Sequence, residues 1–171
     1  MSITSSTPLA AASAVDASSD ATAAADAADV VIVPSALLGP IPVRPDAVFA
    51  MPDGLYGFEA CRTFALVPAG RDGLWWLQSA ERAELVFLLA DPFTYFPGHV
   101  VDVPPAELAR LDATESTPLM ALVIVTLPAR AHDAPTANLR APIIFDPARR
   151  LARQVVLADD GLSLTAPVAL A

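Results

Sequence analysis

The fold is decided by residues 63–78, TFALVPAGRDGLWWLQ, in which two short apolar runs flank a turn. The runs 63–67 and 74–78 have strand length and are rich in aromatic, leucine and β-branched residues. The segment 68–73 between them combines Pro, Gly and Asp, which suit tight turns. We therefore expect a β-hairpin. Trp75 and Trp76 should face opposite sides of its second strand. One would enter the core, and the other would lie outside as an interface candidate or under the N-terminal tail.

The same pattern continues in both directions from this hairpin. Short apolar runs are separated by turn residues, and 17 prolines discourage long helices. The uniformly apolar run 85–90 predicts a strand covered on both faces. Only two segments have helical signals, a capped turn at 79–84 and a short helix at 104–111. Further strands are expected at residues 30–33, 41–43, 47–50, 99–103, 119–127, 143–145 and 154–157.

These elements predict an all-β fold, an antiparallel barrel or sandwich with one or two short helices. A chain of 171 residues suits one domain, which we place at 29–161. Residues 1–28 consist mainly of Ala, Ser, Thr and Asp and have little bulk to offset the entropy of ordering. We therefore expect a disordered N-terminal tail, and a loose C-terminal end at 162–171.

Composition also limits the partners. The formal net charge is −9, and all ten cations are arginine. Such acidity disfavours direct nucleic-acid binding. It suits a basic protein partner, although acidity also simply favours solubility. The cluster Arg149, Arg150 and Arg153 is interpreted as a solvated turn. No membrane span or export signal is evident, and the chain has one cysteine, so we expect a cytoplasmic protein.

Catalytic signatures are absent from the sequence. It contains no Gly-rich phosphate loop, nucleophile elbow or zinc-protease motif. His99 and His132 are too few and too far apart to indicate a metal site, so we expect neither metal nor cofactor. Cys61 is interpreted as a small buried hydrophobe. A small enzyme using a carboxylate or Cys61 stays an alternative, and it would require a cavity where titratable groups converge.

Residues 91–97, DPFTYFP, place three aromatic side chains between two prolines, directly after a buried strand. The segment could fold back to cover a barrel end, because aromatic rings bury large areas. It could equally form a rigid docking surface, because aromatic residues dominate protein interfaces. The sequence leaves both interpretations open.

Several motifs in order resemble those of one known bacterial protein family. Residues 54–59, GLYGFE, are similar to the family's G-L-P-G-F-E turn, with Tyr56 where the family usually has Pro. Residues 76–79, WLQS, and 91–97 resemble its W-L-Q-S and D-P-F-x-x-F-P segments. The likeness continues through VIVTLP at 123–128, TANLRAPI at 136–143 and QVVL at 154–157. The family is the bacterial flagellar assembly factor family FliW.

The resemblance implies a barrel-like all-β fold, no enzymatic activity and two protein partners. One partner is flagellin, held in the cytoplasm before export. The other is the RNA-binding translational repressor CsrA. When flagellin is exported, freed FliW binds CsrA, and CsrA releases flagellin mRNA. Whether the two partners share one surface is left open, and we expect a monomer when the protein is free. A subunit that self-assembles through exposed strand edges is a further alternative.

We place the partner-binding surface on the aromatic segment, with Asp91 as a capping acceptor, and as a second choice on the T-A-N-L element. The residues are Asp91, Phe93, Tyr95, Phe96, Asn138 and Arg140. Gly54 and Gly57 are assigned to the structure of the turn, because glycine permits backbone angles that other residues resist.

Overall fold

The computed structural model describes residues 1–5, 30–130 and 132–170. Within them lie two short helices, α1 (Pro92–Tyr95) and α2 (Pro105–Arg110), and a single 3-10 turn, Pro45–Ala47. The strands are β1 (Ser2–Ile3), β2 (Val31–Val33), β3 (Ile41–Val43), β4 (Val48–Ala50), β5 (Thr63–Pro68), β6 (Leu74–Ser79), β7 (Val86–Ala90), β8 (Val101–Asp102), β9 (Met120–Thr126), β10 (Thr136–Ala137), β11 (Ile143–Asp146), β12 (Leu151–Gln154) and β13 (Ala166–Pro167).

Seven of these strands form a closed barrel. Their order is β11-β12-β4-β5-β6-β7-β9, and β9 pairs back onto β11. Six of the seven pairings in the ring are antiparallel, whereas β4 and β12 pair in parallel through Ala50 and Leu151. Closure leaves no unpaired edge in the ring. The all-β, barrel-like prediction is confirmed, with one parallel pairing that the sequence did not indicate.

The barrel interior is built by alternate residues along each strand. On β5, Phe64 and Leu66 point inward, whereas Ala65 belongs to a cluster outside the wall. Phe49 and Phe145 meet edge to face inside, with ring centroids 5.0 Å apart and an interplanar angle of 82°. The interior cluster comprises Phe49, Met51, Leu55, Cys61, Phe64, Leu66, Leu77, Leu85, Leu89, Met120, Leu122, Ile143, Phe145 and Ala152.

The outer face of the wall is also apolar, and three smaller clusters of buried residues cover it. The hairpin cluster lies under β2 and β3 and contains Val33, Val43 and Ala65. The helix cluster lies under α2 and β1 and includes Ile3, Val101, Leu108, Leu111 and Ile144. The C-terminal cluster includes Leu74, Leu88, Ala90, Val123, Val125, Ala137, Leu139, Ala166 and Val168. Strands covered on both faces explain the uniformly apolar runs of the sequence.

Both chain ends differ from expectation where they are described. The prediction of a loose end at 162–171 is wrong over residues 166–168, because β13 pairs with β10 and Val168 is buried. The amide of Val168 donates to the Pro135 carbonyl at 2.9 Å. At the other end, β1 pairs with β8 and Ile3 is buried, so residues 2–3 are not part of a disordered tail. Both segments are held because they bury apolar side chains against the barrel wall. The rest of the expected tail, residues 6–28, lies outside the described residues.

Three local elements also differ. Residues 79–84 form no helix, although the Ser79 hydroxyl accepts from the Arg82 amide as a cap would. The buried Gln78 side chain organises this loop instead, with Nε2 lying 3.0 Å from both the Ser79 and the Leu85 carbonyl oxygens. The strand expected at 154–157 lies at 151–154. Residues 92–95 are helical, because Asp91 caps them and Pro92 fits the first position of a helix.

The two tryptophans of β6 are each half-buried. Trp75 packs against the interior cluster, and Trp76 packs against the C-terminal cluster. They face opposite sides of the wall, as strand geometry requires. The outer residue, Trp76, is covered in part by the C-terminal cluster.

Candidate functional site

The aromatic segment 91–97 is anchored at its first residue. The Asp91 carboxylate accepts from the Phe93 amide at 2.9 Å and caps α1. The Asp91 amide donates to the Gly73 carbonyl at 2.7 Å, which ties the segment to the start of β6. These bonds fix the helical turn that carries the aromatic rings.

The three aromatic rings divide between two outer clusters. Phe93 packs against the helix cluster, whereas Tyr95 and Phe96 pack against the C-terminal cluster. The Tyr95 hydroxyl donates to the Asp72 carbonyl at 3.0 Å. Each ring is half-buried, so the segment covers the barrel wall and still presents part of each ring to solvent. The covering and docking interpretations are therefore compatible.

Asn138 and Arg140 lie in the turn after β10. The Asn138 side-chain oxygen accepts from the amides of Arg140 at 3.1 Å and Ala141 at 3.0 Å. The Arg140 guanidinium pairs with the Asp160 carboxylate. Asn138 thus shapes the turn. Its neighbours Ala137 and Leu139 belong to the C-terminal cluster, so the structure brings this turn to the same cluster as Tyr95 and Phe96.

The turn 54–59 has the backbone that its glycines permit. Gly54 has φ +68° and Gly57 has φ +82°, both in the left-handed region. A Cβ at Gly54 would lie 2.7 Å from Glu59 Cα, whereas the same atom at Gly57 would meet open space. The Gly57 amide donates to the Glu59 carboxylate at 2.8 Å, and this bond holds the pKa of Glu59 below its usual range.

Beside this turn lies a cleft with a volume of about 410 Å³, which no sequence pattern indicated. Its walls come from three separate segments: the turn and the residues around it, α2, and β12. Tyr56 lies at the cleft and is 63% exposed. The lining residues are Asp53, Gly54, Tyr56, Glu59, Arg62, Arg110, Arg153 and Gln154. We call this site the charged cleft.

Arg153 joins the walls of the charged cleft. Its side chain is only 11% exposed and pairs with the Asp53 carboxylate. Its Nε lies 3.4 Å from Glu107 Oε2, and Glu107 also faces Arg110 at 3.6 Å. Burial lowers the pKa of Arg153. The interpretation of Arg153 as part of a solvated turn is wrong, because Arg153 lies in β12 and its side chain is only 11% exposed.

The site groups are better suited to holding charge than to transferring protons. The carboxylate Glu59 has a lowered pKa, whereas an efficient general base needs a pKa near the working pH. Cys61 is buried in the apolar interior cluster. His99 and His132 do not line the cleft. Among the residues that the structure describes, no cluster of His, Cys, Asp and Glu could hold a metal ion.

No described helix is both long and apolar enough to cross a membrane.

Fold and site together define a class: a small closed β-barrel protein whose outer surface, rather than its filled interior, carries the groups able to contact another molecule. A family model described as FliW protein matches residues 32–168, well over half of the chain. The chain belongs to the FliW family.

Individual relatives agree with this assignment. The flagellar assembly factor FliW of Natranaerobius thermophilus is 36% identical over 121 residues, covering 70% of this chain and 80% of the relative. The flagellar assembly factor FliW of Symbiobacterium thermophilum is 38% identical over 125 residues, covering 72% and 90%. A crystal structure of the flagellar assembly factor FliW superposes with a TM-score of 0.72 at 28% identity, covering 80% of this chain and 96% of that one.

Proposed function

We propose that this protein is a cytoplasmic flagellar assembly factor that binds flagellin before export and antagonises the translational repressor CsrA. The observation that carries the proposal is the FliW match over residues 32–168, on a barrel of the same fold. In this mechanism the protein holds flagellin until export. Once freed, it binds CsrA and thereby relieves repression of flagellin mRNA translation.

Surface chemistry supports protein binding. The half-buried rings of Phe93, Tyr95 and Phe96 each present part of their area to solvent on a capped turn, and aromatic residues dominate protein interfaces. The net charge of −9 favours encounter with a basic RNA-binding protein. Asn138 and Arg140 would act beside Tyr95 and Phe96 rather than beside Phe93, because their turn lies at the C-terminal cluster.

The proposed action is binding without catalysis. The sequence alternative of an enzyme using Cys61 has no support in the interior cluster, where the thiol is surrounded by apolar side chains. The charged cleft brings carboxylates together, but Asp53 is paired with Arg153 and Glu59 accepts from Gly57. Barrel closure removes strand edges from the seven-stranded ring, and the strands outside it, β1, β2, β3, β8, β10 and β13, have only two or three residues each, which supports a monomer when free.

Co-elution of the purified chain with flagellin or with CsrA in gel filtration tests this proposal. We expect a complex with each partner at micromolar concentration and low salt. Absence of binding to both would contradict the proposal. Addition of flagellin to the preformed CsrA complex then shows whether one partner displaces the other.

Substitution of Phe96 tests the binding surface. Phe96→Ala should weaken at least one of these complexes, because aromatic anchors dominate interface energies. Leu164→Ala is the matched control, since Leu164 is an exposed apolar side chain (57%) outside the aromatic segment. Equal binding by both variants, each folded, would remove Phe96 from the site.

A further inference from the structure

We propose that Asp72 is a modification site, at which the backbone isomerises to isoaspartate and so loosens the anchor of the aromatic segment. In this reaction the Gly73 amide nitrogen attacks the side-chain carboxyl carbon of Asp72, and the amide proton leaves with the carboxyl hydroxyl as water. Water then breaks the original bond between the Asp72 carbonyl carbon and the Gly73 nitrogen. The chain afterwards continues through the former side chain, with no net change in mass. The inference does not depend on the function proposed above.

The local sequence offers three candidates for this reaction. An Asp–Gly bond is the most reactive kind, because no side chain shields the attacking glycine nitrogen. The chain has such bonds at 53–54, 72–73 and 160–161, and leucine follows each of them. The three sites therefore have similar intrinsic reactivity. The structure distinguishes them by whether the glycine amide and the aspartate carboxylate are free to meet.

The bonds at 53–54 and 160–161 are held at both reacting groups. In each, the aspartate carboxylate pairs with an arginine. The Gly54 amide donates to the Met51 carbonyl at 2.8 Å. The Gly161 amide donates to Asp159 Oδ1, also at 2.8 Å. Both a hydrogen bond and an ion pair must therefore break before the nitrogen can reach the carboxyl carbon.

The bond at 72–73 is free at both reacting groups. Asp72 is exposed, and its carboxylate forms no ion pair or hydrogen bond within residues 1–5, 30–130 and 132–170. The Gly73 amide donates to no group in those ranges either. The two residues are the centre of a turn that the Leu74 amide closes on the Arg71 carbonyl at 3.1 Å. No hydrogen bond of either reacting group has to open before the reaction begins.

The same turn anchors the aromatic segment. The Asp72 carbonyl accepts from the Tyr95 hydroxyl at 3.0 Å. The Gly73 carbonyl accepts from the Asp91 amide at 2.7 Å. Isoaspartate inserts a methylene carbon into the backbone here and converts the Asp72 carbonyl into a free carboxylate. The lengthened turn displaces the Gly73 carbonyl from the Asp91 amide, so the modification reaches the residue that caps α1.

Ageing of the purified full chain at neutral pH tests the modification. Electron-transfer mass spectrometry of its peptides distinguishes isoaspartate from aspartate. In the folded chain, isoaspartate at Asp72 should accumulate at least about fivefold faster than at Asp53 or Asp160, because those sites must first open. In guanidinium chloride the three sites should react at similar rates. Equal rates in the folded chain would overturn the proposal. So would the absence of isoaspartate at Asp72 under conditions where the unfolded chain forms it.

The matched variant is Asp72→Glu, which keeps the charge but would have to close a less favourable six-membered ring. It should abolish the modification at this position and leave the other two sites unchanged. Hydrogen exchange of the Asp91 amide, followed by NMR, measures the structural consequence. In the chromatographically separated isoaspartate form, this amide should exchange about fivefold or more faster than in the fresh chain. Unchanged exchange in that form, or equal acceleration in aged Asp72→Glu, would overturn the link to the aromatic segment.

Discussion

The aromatic segment and the charged cleft are two candidate binding surfaces of different origin. The aromatic segment is continuous in sequence, and its rings bury part of their surface against the barrel wall. The cleft is assembled from Asp53 to Arg62, from Arg110 and from β12, and its floor is an ion-pair network. A surface made of one segment can be found by reading the chain. A surface made of three segments exists only after the barrel closes.

The largest expected effect tests the rigidity of the cleft wall. Gly54→Ala places a Cβ 2.7 Å from Glu59 Cα and 2.9 Å from the Phe58 carbonyl oxygen, at a φ of +68°. Because the obstructing atoms are backbone, we expect a loss of about 3 kcal/mol or more in the free energy of unfolding. Urea denaturation measures it.

Gly57→Ala is the matched control. Gly57 has φ +82° but open space around the added Cβ, so only the backbone strain applies, about 1 kcal/mol. If the two variants lose the same free energy of unfolding, the close approach of backbone atoms at Gly54 adds nothing to the backbone strain. The turn beside the cleft would then not be held rigid by that contact.

The next largest effect concerns how much the aromatic segment contributes to the stability of the fold. Phe96 is half-buried against the C-terminal cluster. Removal of a fully buried Phe ring costs about 3–5 kcal/mol, so Phe96→Ala should cost about 1–2 kcal/mol and leave the chain folded. Urea denaturation of the variant checks this, with Leu164→Ala expected within about 0.5 kcal/mol of the parent. Failure of Phe96→Ala to fold would place the ring in the core and remove it from the binding surface.

A smaller effect concerns the turn that lies beside the aromatic segment. Asn138→Ala removes the acceptor of the Arg140 and Ala141 amides and should cost about 1 kcal/mol. Asn138→Asp retains the acceptor and should retain most of the stability. Thermal unfolding of both variants measures the contribution of the Asn138 side-chain oxygen. Equal melting temperatures for Asn138→Ala and Asn138→Asp would show that the two hydrogen bonds contribute little to stability.

The smallest effect is a pH dependence just after the aromatic segment. Burial lowers the pKa of His99 below its ordinary 6.5. Between the folded and unfolded pKa values the unfolded chain binds more protons, so the His99 contribution is complete above 6.5 and is lost as the pH falls through the folded pKa.

Urea denaturation between pH 7.5 and about 5 measures this contribution. His99→Gln should reduce the loss of stability on acidification. His132→Gln removes an exposed imidazole and serves as the control. An unchanged pH slope in His99→Gln would show that burial of this side chain has no energetic consequence.

The sequence predicts an element correctly where a single segment carries its own signal. The two apolar runs and the turn residues of 63–78 predicted β5 and β6, and the apolar run 85–90 predicted β7, because both faces of the wall are covered. It failed for β13, since this strand has only two residues, one of them proline, and it pairs only because β10 is already in place. The helical turn 92–95 had a readable signal, a capping Asp followed by Pro, although helical segments were expected only at 79–84 and 104–111.

The amino-acid sequence by itself determined the all-β class, the FliW resemblance and the positions of the turns, because periodicity, glycine and proline act over a few residues. Only the tertiary structure decided the closure of the ring, the docking of both chain ends and the existence of the charged cleft. The physical reason is that an ion pair such as Arg153 with Asp53 depends on two groups 100 residues apart, and no local pattern encodes that contact.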